Sequence, residues 1–167
     1  MSWELPTEAD YRALEIQLGR PMRGLVGIAA RCACGAPAVV VTEPRLPDGT
    51  PFPTLYYMSL PEGTKEASRL EAAGKMAEYQ ARLAEDAAAN ALYEKAHESF
   101  LHTRTQLGVV DEIDGISAGG MPDRVKCLHS LMAHSLAVGE GINPVGDWAL
   151  ADSSWSIDKC QCRPDDH

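Results

Sequence analysis

Residues 75–106 set the first constraint on how this chain can fold. Ala, Glu, Leu and Lys dominate the stretch, Gly108 ends it, and its composition predicts one long helix. Such a helix needs a partner for its apolar face, so the rest of the chain must supply a compact layer beside it. At helical spacing Tyr79, Leu83, Asp86, Asn90, Tyr93, His97, Phe100, Leu101 and Arg104 form one stripe. The polar members interrupt the apolar ones, so this face either packs on a hydrogen-bonded network or lines a cleft. Ala84, Ala88 and Ala91 face elsewhere and allow close helix contact.

The remaining elements follow in order. Thr7 as N-cap and Gly19 as terminator bound a short first helix. Residues 25–31, 38–42 and 54–59 read as strands. Short connections, one holding Asp48-Gly49, favour an antiparallel meander. Thr64 opens a helical region. Pro122 suits a first helical turn, and Val125, Leu128, Leu131, Met132, Leu136 and Val138 fill one broad face up to Gly139 or Gly141. Asn143-Pro144 begins a last short helix through residue 151. The fold expected is α+β: a small three-stranded antiparallel sheet against a long helix and two or three shorter ones. Residues 1–152 form one domain, and 153–167 form a polar tail that folds back to contribute cysteines.

Net charge is −9 over 167 residues, which disfavours nonspecific binding to nucleic acid or an acidic membrane. No window approaches the roughly 20 apolar residues of a membrane span. Met-Ser-Trp-Glu-Leu-Pro lacks the cationic region and apolar core of a signal peptide, so a cytoplasmic setting is expected. There, five cysteines are more often free or metal-bound than paired, and an odd number leaves one over.

Three constellations carry the chemistry. Cys32-x-Cys34 and Cys160-x-Cys162 each place two thiols on one face of extended chain, and Gly35 lets the first pair turn beneath a metal. With Cys127 these are five sulfur ligands for a zinc ion that takes four. Cys32 and Cys34 are expected to meet Cys127, with the fourth ligand from Cys160, Cys162 or a histidine. The alternative is free cysteines packed as small hydrophobes. The second constellation is an anion cradle. Ser117, Gly119 and Gly120 lead into Arg124 and Lys126, with Arg45 joining from the strand-to-strand loop, to hold phosphate or carboxylate. The alternative is a plain connector with solvated cations.

The third is a nucleophile at Cys127, activated by Arg124 and Lys126, with His97 as base. On a regular helix Cys127 and His129 fall on opposite edges and do not meet. Cys127 and His134 are separated by roughly 10 Å of rise. No nucleophile elbow, zinc-protease or dinucleotide fingerprint is present. The functional expectation is a zinc-stabilised binding or regulatory module for an anionic small molecule or protein partner. The alternative is a small enzyme acting on a phosphorylated or carboxylated molecule through open zinc or Cys127.

The segments Arg31-Cys-Ala-Cys-Gly, Pro44-Arg-Leu-Pro-Asp-Gly-Thr-Pro-Phe-Pro-Thr, Ser117-Ala-Gly-Gly-Met-Pro-Asp-Arg-Val-Lys-Cys-Leu-His and Asn143-Pro-Val-Gly-Asp resemble an actinobacterial family, domain of unknown function five-hundred-and-one. The likeness runs from about Tyr11 to Leu150. It implies no particular activity and no catalytic residue. It adds weight to the motifs above, since they are the ones by which the family is recognised.

Overall fold

A computed structural model describes residues 3–163, so residues 164–167 of the predicted tail lie outside it. The fold is α+β. Three strands, β1 (Leu25–Arg31), β2 (Pro37–Thr42) and β3 (Tyr56–Met58), form an antiparallel sheet in chain order, with β2 central and buried throughout. Among the described residues six α-helices surround it: α1 (Glu8–Leu18), α2 (Pro61–Ala72), α3 (Lys75–Glu85), α4 (Ala87–Leu107), α5 (Leu128–Val138) and α6 (Pro144–Asp152). No helix of the described residues is long and apolar enough to cross a membrane.

Strand alternation explains how both faces of β2 are covered. Val39 and Val41 point into the main core with Leu131 and Met132 of α5. Val40 points the other way, into a small cluster with Leu14 of α1 and Ile28 of β1. α1 is held to β1 by a two-pronged ion pair, Arg31 Nη1 to Asp10 Oδ1 at 2.7 Å and Nη2 to Oδ2 at 3.0 Å. The Arg31 guanidinium, with Thr7 adding hydrogen bonds, outweighs burial and lowers the Asp10 carboxyl to about 2.

The predicted long helix is two helices. Asp86 is extended at φ −125°, and its Oδ1 accepts from the Ala89 N–H at 3.0 Å. A short carboxylate competes for backbone N–H groups, so Asp86 stops α3 and caps α4 where composition alone argued for continuity. Of the predicted stripe, Tyr79, Leu83, Tyr93, Phe100 and Arg104 are buried. Arg104 explains the polar interruption: its guanidinium donates to the carbonyls of Pro53, Ile113 and Ile116 at 2.6–2.8 Å and ties two loops to α4.

The predicted helix from Pro122 also begins later. Residues 121–123 form a turn, and α5 starts at Leu128 after an extended Cys127 at φ −147°. α5 packs against β3, α2 and α6. On it, His134 is 1% exposed, stacks on Tyr56 with ring centroids 5.5 Å apart, and bonds Asn143 through Nδ1 at 3.1 Å. Burial lowers its pKa to about 4.

Candidate metal centre

Cys32 is the first residue past β1. Its N–H donates to the Ala36 carbonyl at 2.9 Å, and the Gly35 N–H donates to the Cys32 carbonyl at 2.8 Å. Gly35 takes φ +94°, where a side chain would strain the backbone, and the tight turn carries Cys32 and Cys34 together.

The C-terminal segment is docked against this turn. Trp155 is 4% exposed and reaches the core beside Gly63, where an added Cβ would lie 3.2 Å from the indole. Ser154 donates its N–H and hydroxyl to Glu66 Oε1 at 2.7 and 3.1 Å. Arg69 and these donors outweigh burial and lower Glu66 to about 2. The Ala33 N–H donates to the Ile157 carbonyl at 3.0 Å, joining the tail to the cysteine turn. A turn at Ser156–Lys159 then brings in Cys160 and Cys162.

The result is four thiols, Cys32, Cys34, Cys160 and Cys162, whose sulfurs all lie within 4.8 Å of one another. Cys162 Sγ is 3.6 Å from Cys32 Sγ and 3.7 Å from Cys34 Sγ. A disulfide needs about 2.05 Å. A zinc tetrahedron with bonds of about 2.3 Å separates its sulfurs by about 3.8 Å. Cys32 is buried, Cys162 partly so, and Cys34 and Cys160 are exposed. Burial, then the neighbouring thiols, raise the Cys162 pKa.

Cys127 is not in this cluster. It groups with Glu71 and His129, the three offering ligand atoms within 4.8 Å of one another. The expectation that Cys127 avoids His129 takes residue 127 as helical, and the expectation that Cys127 completes the zinc site takes the start of that helix to lie against the Cys32–Cys34 turn, where the tail cysteines lie instead. The extended Cys127 sets its sulfur beside the first turn of α5 instead. Val125 and Leu128 are both buried, so apolar spacing alone does not mark where α5 begins.

His97 is not the partner of Cys127 either. Its Nδ1 bonds Ser117 Oγ at 2.7 Å, and burial lowers its pKa. Ser117 is 4% exposed and joins the loop to α4.

The residues of the expected anion cradle are dispersed or already engaged. Arg45 pairs with Glu112 at 2.6 Å and donates to the Gly49 carbonyl at 2.8 Å. The loop satisfies its own amides: Lys126 N–H donates to Gly119 O at 2.7 Å, Arg124 N–H to Gly120 O at 2.9 Å, and Val125 N–H to Gln80 Oε1 at 2.8 Å. The glycines serve close approach. A Cβ at Gly119 would meet Leu131 at 2.6 Å, and one at Gly120 would meet the Arg124 carbonyl at 2.8 Å. The Arg124 and Lys126 side chains remain exposed.

The family model described as "Protein of unknown function (DUF501)" matches residues 28–151, and the chain belongs to that family. The matched span includes Cys32, Cys34, Cys127 and His129 and stops before Cys160 and Cys162. No curated protein and no solved structure matches the chain.

Proposed function

We propose that this member of the DUF501 family is a zinc-stabilised binding or regulatory module, its ion held by Cys32, Cys34, Cys160 and Cys162. The observation that carries the reading is the four-sulfur cluster within 4.8 Å. A shell of four protein sulfurs leaves no position for water or substrate, so the metal's role is structural. It clamps the tail onto the end of β1. Sulfur-only ligand sets suit zinc among the metals of a reducing cytoplasm, and that compartment keeps the thiols available as ligands.

Purified protein is expected to hold about one zinc per chain, and Cys34→Ser is expected to lose it. Metal analysis finding no zinc in the wild-type protein removes the proposal.

The anionic ligand of this module would meet Arg124 and Lys126, which extend from the turn before α5. Inorganic polyphosphate is expected to raise the melting temperature of the wild type but not of an Arg124→Ala, Lys126→Ala double variant. Equal shifts in both remove the anion component and leave the zinc component standing.

A further inference from the structure

A second cluster of reactive groups lies apart from the four thiols, where the start of α5 meets the end of α2. His129 Nδ1 is 3.1 Å from Glu71 Oε1 and its Nε2 is 3.2 Å from Ser68 Oγ, which orients the ring, and one ring nitrogen lies within 4.8 Å of the Cys127 sulfur. Glu71 also accepts the Leu128 N–H at 3.4 Å, which fixes the carboxylate to the first residue of α5. Cys127 lies with His129 and Glu71, and the Ser130 hydroxyl reaches its sulfur at 3.4 Å. Cys127, His129 and Ser130 open on a cavity of about 210 Å³ walled by Thr54, Tyr57 and Met58 from the β3 side and Thr64 from α2.

We infer that Cys127 is a catalytic nucleophile, with His129 as its acid–base partner and Glu71 as the residue that positions the imidazole, acting on a small acyl ester or thioester. This is an activity beyond the zinc-held module and uses none of its four thiols.

The chemistry follows from the placement. Burial alone would raise the Cys127 pKa, but the imidazole of His129 and the Ser130 hydroxyl and N–H beside the sulfur outweigh it and lower the thiol. The same contact with Cys127, then the charge of Glu71, raises His129 against its own burial. Both shifts act in the direction a thiolate–imidazolium pair needs, the thiol down and the imidazole up. Among groups facing the sulfur, Glu71 from α2 is the opposing charge, and it raises the thiol. The Cys127 thiolate attacks the acyl carbonyl carbon and a C–S bond forms. The C–O or C–S bond to the leaving group breaks, and the imidazolium proton goes to that group. Water then attacks the acyl-cysteine as neutral His129 takes its proton. The carboxylic acid leaves, and thiolate and imidazolium are restored. A 210 Å³ cavity admits an acyl group of a few carbons rather than a long chain.

The test uses the full-length protein and p-nitrophenyl acetate. The wild type is expected to release a burst of about one p-nitrophenolate per chain and to carry an acetyl group on Cys127 by peptide mass spectrometry. Cys127→Ala abolishes the burst and keeps the zinc content of the wild type. His129→Gln slows the burst by about 100-fold or more at unchanged melting temperature. Iodoacetamide gives a readout free of folding defects: on the wild type, the Cys127 rate stays high below the usual thiol range, and in His129→Gln its inflection moves up. No burst, acetylation of Ser68 in place of Cys127, ordinary thiol titration of Cys127, or loss of zinc in Cys127→Ala each overturns the assignment. The zinc content of the wild-type protein is read independently of the burst, so the two readings fail separately.

Discussion

Cys32→Ser is expected to lower the melting temperature by about 10 °C and to release the metal. Cys32 and Cys34 sit in one turn, and the tail sulfurs they face are separated from them by 128 and 130 residues. A cross-link of that span constrains the unfolded chain by about 5 kcal/mol in the loop-entropy description, which is about 10 °C or more for a chain of this size. Serine at this buried position also replaces a good zinc ligand with a hydroxyl that must find a partner. The loss should concentrate in the tail, where without the ion the holding contacts are Trp155 and Ile157 on the core, the Ser154–Glu66 and Ala33–Ile157 bonds and the Arg163–Glu62 ion pair. Differential scanning calorimetry of wild type and variant measures the shift, and chelator treatment of the wild type should reproduce it. Cys127→Ser is the control and should melt close to wild type.

The second large effect is a loss of stability in mild acid that traces to His134. The unfolded histidine titrates near 6.5 and the folded one near 4, because the ring is buried against Tyr56 and Phe100. Above pH 6.5 both states are neutral there and the residue contributes no slope. As pH falls through that value the unfolded chain takes up a proton that the folded chain refuses, so stability falls with pH. The loss reaches about 2 kcal/mol at pH 5 and about 3 kcal/mol near pH 4. His97, also lowered, adds to the same slope, whereas His129, raised, opposes it. Asp10 and Glu66, lowered to about 2, lose their contributions only at more acidic pH. Urea unfolding at pH 7 and pH 5 isolates the effect. His134→Gln keeps an acceptor for Asn143 and cannot titrate, so it should lose about 2 kcal/mol less than wild type over this range. Equal losses in the two proteins would exclude His134 as the source.

The strands were legible because their residues follow rules that act locally. Apolar runs ended by turn residues located β1, β2 and the span around β3, and Thr7, Gly19 and Asn143 marked helix ends through their capping chemistry. Asp86 was harder. Its neighbours are strong helix formers, and a single carboxylate taking the Ala89 N–H overrides them. The cysteine site was legible in part, since paired Cys-x-Cys spacing names candidate ligands but not which pairs meet. That depends on Trp155 docking at Gly63, a contact between residues far apart in the chain. Cys127 was misplaced because periodicity from Val125 onward suggested helix before the helix begins. The same periodicity puts His129 on the far edge of the helix from Cys127. Arg124, Lys126 and the two glycines looked like an anion loop, yet the loop's amides close on its own carbonyls and on Gln80. Composition and spacing do not show where a backbone N–H points.

Zinc K-edge X-ray absorption on the purified wild-type protein tests the central claim most directly. The account predicts a first shell of four sulfurs at about 2.3 Å and no nitrogen or oxygen. A shell containing nitrogen or oxygen would place the ion elsewhere, such as at His129 and Glu71, and contradict it.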